Sequence, residues 1–592
     1  MRVRFFPCDA ECKNPVGGVE INKDFTLNLF VIGADSSVTV LTKDGEQPVK
    51  YPMERKEYGF SLTMRVTTPG LYFYRFEISS CGKTVSYYAD EDLNAAEGEG
   101  RPWQLTAFEK IYRAPDFLDG GIYYQIFPDR FNIGGLRLKT KAAATYRDDW
   151  GGCPEFEADA DGIVRNNDMF GGNLDGITEK LDYLSSLSVR CIYLNPIFEA
   201  ASNHKYDTGS YRRVDGDFGG IKALERLFSE ADKRGIKVIL DGVFSHTGAD
   251  SVYFNRYGSY DGAGAYQSKN SPYYGWYDFT EYPDNYACWW GVKILPCVKE
   301  SDPVFDEFIN GEDGVIRTYM RMGAAGWRLD VADELPDGFL DRLTHAAKSV
   351  NENAVVLGEV WEDASNKTSY GRRRRYLTGR QLDSVTNYPF KDAVIDFIKT
   401  GRAENIARTV NAIVNNYPPD ALKNLMNPLS THDTVRILTA LSDCPLPGLK
   451  RDRADYAIPD LSLALKRLRA AAALQYTLPG VPCIYYGDET GMEGCEDPFN
   501  RRCYPWGKEN SALIQYYRAL GRLRRAPELN GGDFSVLRAG GGIFSFVRGG
   551  KLVVVCNAGN ADYALDEKVT DLIEGKEFSS VPPLTAVVYR AR

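Results

Sequence analysis

The chain has 592 residues, of which 43% are hydrophobic and 26% are charged, and its formal net charge at pH 7 is -10. This length predicts several domains, because domains average about 150 residues. The acidic balance argues against a nucleic-acid partner, since such proteins usually carry a basic face, and the one basic run, 372–375, is interpreted as a solvated loop. No apolar run reaches the ~18 residues of a membrane span, so no membrane association is expected.

The first residues contain no apolar segment of signal-peptide length. The sequence as given therefore predicts a cytoplasmic location, unless a leader has been removed. The 12 cysteines show no CxxC pair and no metal-ligand spacing. This pattern favours reduced thiols and predicts no metal-binding residues.

Residues 1–117 alternate apolar and polar side chains, as in 25–31 and 71–76, and turn residues occur at 43–45 and 69–70. A period of two residues is typical of strands with one buried face, so we predict an N-terminal β-sandwich. This domain is a candidate for glycan binding or for a homodimer interface. A module that only packs against the rest of the chain fits the pattern at least as well.

From residue 118, short apolar runs such as 121–127, 191–194 and 238–240 alternate with helical patterns. This alternation predicts an α/β fold, a (β/α)8 TIM barrel, assigned to 118–246 and 304–525. Within 247–303 the alternation stops and Tyr, Trp, Gly and Asn dominate, which predicts a small domain inserted after the third strand. Residues 526–592 are again short and β-like and are assigned to a C-terminal β-sandwich.

Acidic side chains follow two apolar runs that lie close together in the sequence. One run ends at Asp330, and the next, 355–358, ends at Glu359, with a helical segment at 338–350 between them. Neighbouring parallel strands of a barrel place their C-terminal ends over the same mouth. We therefore expect the two carboxyls to face each other, where paired acids can divide into a nucleophile and a proton donor.

Two further polar clusters are expected at this mouth, one ending at His246 and one containing His432 and Asp433. Each cluster alone has a structural explanation, because a strand-end Asp often caps a helix and a lone His is more often structural than catalytic. However, the chain has only four histidines, and His204 lies in a third such cluster. Their joint occurrence favours a functional site.

The segments DGVFSH at 241–246, GWRLD at 326–330, GEVW at 358–361 and STHD at 430–433 resemble, in order and spacing, the four signature regions of the α-amylase superfamily, glycoside hydrolase family 13. YQIFPDRF at 124–131, SNHKYD at 202–207 and DPFNR at 497–501 are most similar to the neopullulanase, cyclomaltodextrinase and maltogenic amylase group. The resemblance extends over nearly the whole chain from about residue 118.

The resemblance implies a retaining glycoside hydrolase in which Asp330 attacks the anomeric carbon, Glu359 protonates the glycosidic oxygen and Asp433 holds sugar hydroxyls. Arg328 is expected to keep Asp330 ionised, since an adjacent guanidinium lowers the pKa of an acid, with a simple ion pair as the alternative. The other implied substrate-binding residues are His204, Tyr206, His246, Trp361, His432, Asp497 and Arg501. For Trp361, a stacking position on the leaving-group side and a packed core position fit equally well.

Two departures from the family pattern affect substrate and cofactor. Asp333 precedes Glu334 where relatives often carry Asn, which adds an acid near the acceptor side and leaves the balance of hydrolysis and sugar transfer open. Calcium is common in relatives after the first barrel strand, but 132–136 lacks an oxygen-rich run and Asn173 stands where Asp is expected. Because calcium prefers several carboxylates, no cofactor is predicted to be required, and calcium is kept as the minor alternative.

The sequence thus predicts an enzyme that cleaves α-1,4-glucosidic bonds in maltooligosaccharides, cyclodextrins, pullulan or starch. One alternative is a transglycosylase that uses the same site, and a second is an endo-acting α-amylase. A third alternative is a non-catalytic glycan-binding protein on the same fold. The intact acids Asp330, Glu359 and Asp433 argue against this third alternative.

Overall fold

The computed structural model describes residues 2–159, 162 and 164–591. At the N-terminal end, residues 3–108 form two β-sheets. Apolar side chains of both sheets, including Leu27, Phe76 and Trp103, point inward and share one core, as period-two strands require. The first sheet contains Val3–Arg4, Lys13–Asn14, Phe25–Val31, Glu54–Lys56 and Gly59–Met64. The second contains Val19–Glu20, Ser36–Lys43, Val49–Pro52, Gly70–Ser80, Lys83–Ala89, Ala95–Glu97 and Trp103–Phe108.

Eight parallel strands form the central barrel, which confirms the predicted fold class. They pair in the order 6-5-4-3-2-1-8-7, and a parallel bridge between Thr386 and Met426 joins strands 6 and 7 and closes the ring. In chain order the strands are Ile122–Ile126, Val189–Leu194, Lys237–Gly242, Gly326–Leu329, Val355–Gly358, Ser384–Val385, Met426–Pro428 and Val481–Tyr485.

Helices surround this barrel and bury apolar stripes against it. In Gly220–Asp232 the buried residues are Ala223, Leu224, Leu227, Phe228 and Ala231, the spacing expected of an amphipathic helix. The other α-helices are Pro128–Phe131, Leu174–Glu179, Leu181–Ser186, Pro303–Asn310, Val315–Met322, Asp337–Val350, Tyr388–Thr400, Ala403–Asn416, Pro419–Lys423, Ile437–Ala440, Lys450–Ala454, Leu461–Thr477 and Ser511–Leu523. Across the described parts of the chain, no helix has the length and apolar character needed to cross a membrane.

A buried carboxylate ties the first barrel strand to the eighth. Glu489, just after the eighth strand, accepts hydrogen bonds at Oε1 from the hydroxyls of Tyr124 (2.8 Å), Tyr183 (2.8 Å) and Tyr504 (2.9 Å). Its Oε2 accepts from the Gly487 amide at 3.0 Å. Buried polar groups are stable only when hydrogen-bonded, so this network helps to fix the side of the barrel where chain-distant strands meet.

The segment after the third strand leaves the barrel and returns beside its starting point. An antiparallel bridge joins His246 to Cys297, so both ends of the segment lie together at the mouth. Its regular structure is limited to the short strands Phe279–Glu281 and Asn285–Tyr286 and the 3₁₀ turns Tyr274–Trp276 and Trp289–Gly291. Buried aromatic side chains such as Tyr253, Phe254 and Trp276 hold it together.

The C-terminal part is again antiparallel. Its four-stranded sheet contains Phe534–Gly540, Ile543–Arg548, Leu552–Asn557 and Thr585–Arg590. A second pair, Tyr563–Thr570 and Glu577–Val581, packs against it through a small apolar core that includes Val555, Val581 and Val587.

The interpretation of 372–375 as a solvated loop is wrong for Arg374. That side chain is buried, and its guanidinium donates to the backbone carbonyls of Asp333 (2.8 Å) and Leu335 (2.5 Å). The partners of Arg374 are thus backbone carbonyls about 40 residues earlier in the chain, and the residues next to Arg374 in the sequence do not reveal them.

Candidate active site

The register of the fourth and fifth barrel strands brings Asp330 and Glu359 to the same edge. Leu329 pairs with Gly358, and each acid is the next residue along its strand. The Asp330 amide donates to the Gly242 carbonyl and the Glu359 amide to the Leu329 carbonyl, both at 3.0 Å. Both acids therefore stand where the sequence predicted, at the C-terminal mouth of the barrel.

The buried guanidinium of Arg328 connects three carboxylates. Its Nη1 lies 2.8 Å from Asp241 Oδ1 and 2.9 Å from Asp330 Oδ1, and its Nη2 lies 2.8 Å from Glu359 Oε2. The planar fork of arginine suits this arrangement, because two nitrogens can face different carboxyls at once. Arg328 thus fixes the nucleophile candidate and the acid candidate relative to each other.

Asp241 is a part of this network to which the sequence analysis gave no role. Its Oδ2 accepts from the hydroxyls of Tyr193 (2.6 Å) and Tyr206 (2.9 Å). Like Asp330, Asp241 is an acid near the end of a barrel strand, and that position was the available signal. Its contacts with chain-distant tyrosines and with Arg328 appear only in the folded structure.

A strained residue links the two catalytic candidates. Val331 has φ = 37°, a left-handed value that a β-branched residue rarely adopts and that costs of order 1–3 kcal/mol. In this conformation its amide donates to Glu359 Oε2 at 2.9 Å. The same oxygen faces Arg328, so Oε2 is held by two donors while Oε1 faces the cleft side chain Trp361.

Trp361 lies in the cleft and not in the core of the barrel domain. Its side chain is 46% exposed, its ring stacks on Tyr388 at 3.8 Å and 4°, and its Nε1 donates to Glu359 Oε1 at 3.1 Å. A packed core position is therefore wrong for this residue. The indole is placed beside the candidate proton donor with one face supported.

His432 is held by its neighbours in one orientation. Gln125 Nε2 donates to His432 Nδ1 at 2.9 Å, so the proton of the neutral ring lies on Nε2. That Nε2 lies 3.1 Å from Asp433 Oδ2, and the ring stacks against Tyr206 with centroids 5.3 Å apart. Gln125 was not identified from the sequence, since a single glutamine in an apolar strand gives no signal.

The other two histidines predicted for the site, His204 and His246, also face polar neighbours. His246 Nε2 lies 3.1 Å from the Tyr206 carbonyl, and its ring approaches Trp289 at 5.7 Å. His204 Nδ1 accepts from the Tyr206 amide at 3.1 Å. All three imidazoles therefore surround the same tyrosine.

Burial sets the charge state of these groups. It lowers the pKa of His246 to about 4 and lowers the pKa of His432 well below its usual value, so both rings are neutral near neutral pH. For Asp330, burial raises the pKa well above the usual value, Arg328 acts in the opposite direction, and the charge of Glu359 adds to the increase. Removal from water and the charge of Glu359 raise the pKa of Asp433 to about 7.

Arg501 joins Asp497 to Asp433 at the edge of the site. Arg501 Nη1 lies 2.9 Å from Asp497 Oδ1, and its Nη2 lies 3.6 Å from Asp433 Oδ1. The two carboxylates can accept hydrogen bonds from hydroxyls of a bound sugar, and the guanidinium can donate hydrogen bonds to others.

One cleft of about 1130 Å³ contains the predicted side chains. Every predicted site residue except Arg328 lines it, and Arg328 lies directly beneath the acids. The inserted segment contributes Trp289 and Trp290, whose rings stack at 5.1 Å and 11° with Trp290 77% exposed. A volume of this size with aromatic walls and convergent acids suits a carbohydrate ligand of several rings.

Asn173, which stands at the calcium position implied by the resemblance, already has hydrogen-bond partners for both ends of its amide. Asn173 Oδ1 already accepts from the amides of Gly134 (3.2 Å) and Gly176 (2.7 Å), and its Nδ2 donates to the Gly134 carbonyl (2.8 Å). Its oxygen therefore points to backbone donors. Calcium sites need several free oxygen ligands, mostly carboxylates.

Comparison with known proteins places the barrel and its site in one family. The family description "Alpha amylase, catalytic domain" matches residues 125–518. This chain belongs to that family, the α-amylase superfamily of glycoside hydrolase family 13.

Among individual proteins, the chain is 35% identical to an amylopullulanase of Thermoanaerobacter thermohydrosulfuricus, over 91% of this chain and 40% of that protein. It is 30% identical to a cyclomaltodextrinase of Thermoanaerobacter pseudethanolicus, over 88% of this chain and 84% of that one. The solved type III pullulan hydrolase of Thermococcus kodakarensis has a TM-score of 0.71 at 26% identity, with 100% of both chains covered. The chain spans less than half the length of the amylopullulanases that it matches, between 31% and 46%.

Proposed function

We propose that this chain is a retaining hydrolase of α-1,4-glucosidic bonds in maltooligosaccharides, cyclodextrins or pullulan. The observation that carries the proposal is the Arg328 guanidinium that holds Asp330 and Glu359 together at adjacent strand ends beneath the cleft. The names of the relatives, which include amylopullulanase, cyclomaltodextrinase and neopullulanase, support the substrate class.

In the first step, Asp330 attacks the anomeric carbon while Glu359 gives its proton to the leaving glycosidic oxygen. The bond between sugar and leaving group breaks, and a covalent glycosyl ester forms on Asp330. In the second step, Glu359 takes a proton from water, the water oxygen attacks the same carbon, and the ester to Asp330 breaks. The Arg328 charge stabilises the ionised form of Asp330, which the first step uses and the second step releases.

Neutral side chains around Tyr206 then orient the sugar at the cleavage point. His432 carries its proton on Nε2, which contacts the Tyr206 hydroxyl beside Asp433, and a sugar hydroxyl that displaces this contact can accept the same proton. Asp433 can accept from hydroxyls as the ring flattens. Hydrogen bonds that strengthen during this flattening stabilise the transition state more than the ground state, which raises kcat.

The aromatic wall favours compact substrates. Trp289 and Trp290 of the inserted segment border the cleft. Stacking on these rings would strengthen the binding of short or cyclic glucans. Distant sugars of a polymer would add little binding energy in the transition state. We therefore propose a higher kcat/KM for cyclodextrins or maltohexaose than for soluble starch. A higher value for starch would favour the endo-acting α-amylase alternative.

The catalytic roles are tested with Asp330→Asn and Glu359→Gln, which keep side-chain shape and remove a charge or a proton donor. Each is expected to lose nearly all turnover of maltotriose while its circular dichroism spectrum and melting temperature stay close to those of the unmodified chain. Nuclear magnetic resonance of the products should show the α-anomer first. Release of the β-anomer first would contradict a covalent intermediate on Asp330.

Sugar transfer is the second candidate function, and Asp333 is the observation that favours it. Its Oδ1 accepts from the Tyr376 hydroxyl at 2.6 Å and its Oδ2 lies 3.0 Å from Lys367 Nζ, so a fixed ion pair borders the leaving-group side. Such a pair can hold the hydroxyls of an incoming sugar in place of water. Product analysis at high maltotriose concentration distinguishes sugar transfer from hydrolysis, because longer oligosaccharides appear only if transfer competes with hydrolysis.

We also propose that neither step needs a metal ion. The support is the occupied Asn173 oxygen beside the first barrel strand. Activity that survives dialysis against a chelator, with no further gain when calcium is added back, is the expected result.

A further inference from the structure

A segment after the fifth barrel strand, residues 361–375, borders the leaving-group side of the cleft, and we call it the acceptor loop. Trp361, Glu362 and Lys367 from this loop line the cleft. Trp361 also donates to Glu359, the candidate proton donor, which places the loop on the side where the leaving group departs. The position of the acceptor loop therefore decides how a leaving or incoming sugar is held.

On the cleft side, the acceptor loop is tied to the residues that follow the nucleophile candidate. Lys367 lies 3.0 Å from Asp333 Oδ2, and the Tyr370 hydroxyl donates to Glu334 Oε1 at 2.6 Å. These contacts join loop and barrel mouth through charged and polar side chains, which tolerate displacement poorly because charge-assisted hydrogen bonds depend on geometry.

On its other side, the acceptor loop is bound by the N-terminal domain. Gln104, in strand Trp103–Phe108, donates from Nε2 to Ser365 Oγ at 2.7 Å and accepts at Oε1 from Asn366 Nδ2 at 2.8 Å. Gln104 and Ser365 are only 8% and 7% exposed. A third contact, from Arg373 Nε to Asp44 Oδ2 at 2.8 Å, lies at the surface.

The buried pair of hydrogen bonds is the stronger of these ties. Exposed ion pairs such as Arg373 with Asp44 contribute little because water screens the charges, whereas a buried polar group that loses its partner keeps the full cost of its removal from water. Both functional ends of the Gln104 amide contact the loop, so this one side chain fixes two consecutive loop residues.

We infer that the N-terminal domain sets acceptor binding in this chain by holding the acceptor loop through Gln104, a positioning residue that lies outside the cleft. The inference rests on the proposed glycosidase function. It gives the N-terminal domain a role within one chain, separate from glycan binding or dimer formation. Donor-side chemistry, which depends on Asp330 and the groups beneath it, does not require these contacts.

The experiment compares two reactions of the same proteins. Hydrolysis of α-maltosyl fluoride needs only the donor side, because fluoride leaves without occupying an acceptor position. Cleavage of maltotriose, and transfer of maltosyl units from α-maltosyl fluoride to added glucose, require a sugar on the acceptor side. The variants are Gln104→Met, which keeps side-chain length and removes both hydrogen bonds, and Ser365→Ala, which removes one of them from the loop side together with the hydrogen bond from the Ser365 hydroxyl to Asp363.

The matched control is Asp92→Ala. Asp92 Oδ1 accepts from Arg408 Nε at 2.6 Å, so this surface pair also joins the N-terminal domain to a barrel helix but does not touch the acceptor loop. Melting temperatures of all variants separate loss of stability from loss of acceptor binding. If Gln104→Met does not fold, Ser365→Ala carries the test alone.

We expect Gln104→Met to lower the ratio of transfer to hydrolysis by about twofold to thirtyfold, the range that coupling through packed contacts gives. It should raise KM for maltotriose and leave α-maltosyl fluoride hydrolysis unchanged, and Asp92→Ala should match the unmodified chain in all three measurements. Equal effects on both reactions, or no effect on the transfer ratio, would overturn the inference while the hydrolase assignment stands. An unmodified chain that turns over neither substrate would overturn the proposed function and the inference with it.

Discussion

Replacing Arg328 by lysine tests the network on which the proposed mechanism depends. The guanidinium makes three contacts from two nitrogens, two from Nη1 to Asp241 and Asp330 and one from Nη2 to Glu359. A lysine ammonium keeps the positive charge but places it at a single point. We expect the ammonium to retain the Nη1 contacts and to lose the contact with Glu359.

The magnitude follows from that one lost contact. A hydrogen bond to a charged group contributes about 1.5–3 kcal/mol, which corresponds to a decrease in kcat/KM of about tenfold to 160-fold. Arg328→Met is the more severe variant, since it leaves three buried carboxyls without a cation, and breaking a buried pair in this way costs about 3–5 kcal/mol of stability.

The two variants should also differ in pH dependence. Arg328 lowers the pKa of Asp330 against the effect of burial, so Arg328→Met raises that pKa further. The nucleophile must be ionised, and the acidic limb of the kcat/KM profile for maltotriose should therefore move to higher pH in Arg328→Met. Because the raised folded-state pKa makes ionisation unfavourable in the folded chain, the stability deficit should grow as the pH rises above the unfolded value.

Steady-state kinetics on maltotriose between pH 4 and pH 9, with urea unfolding at the two ends of that range, provides the assay. Arg328→Lys should retain the acidic limb and lose rate, whereas Arg328→Met should show both changes. Unaltered kcat/KM in Arg328→Lys, or an acidic limb in Arg328→Met that stays at the original pH, would refute the reasoning.

Three further substitutions test other parts of the structure. Trp361→Phe keeps a ring stacked on Tyr388 but removes the indole donor to Glu359. The kcat should fall by about threefold to tenfold, which corresponds to one hydrogen bond. An unchanged kcat would show that this hydrogen bond does not contribute to catalysis. Trp290→Ala should leave the melting temperature unchanged, because the side chain is 77% exposed, and should raise KM for cyclodextrins in steady-state assays; an unchanged KM would contradict the stacking role. Tyr124→Phe removes one donor from buried Glu489 and should lower the free energy of unfolding in urea by about 1.5–3 kcal/mol, whereas a neutral result would mean that the other two tyrosines suffice.

Local patterns determined most of the barrel and its acids. Buried parallel strands appear as short continuous apolar runs, and the residue after such a run lies at the barrel mouth because the chain must leave the sheet there. Asp330 and Glu359 could therefore be placed from sequence, and the structure has them at adjacent strand ends. The apolar alternation of 25–31 likewise predicted a strand with one buried face, which Phe25–Val31 has.

The partners of these side chains were decided by the tertiary structure alone. Asp241 and Arg328 are 87 residues apart in the chain, and Gln104 and Ser365 are 261 residues apart. Helical and strand periods describe which face of one element is buried, but they carry no information about which residue of another element arrives there. For the same reason the sequence left Trp361 between a core and a cleft position. In the folded structure Tyr388, from a helix that follows the sixth strand, covers one face of the indole, and the side chain remains 46% exposed.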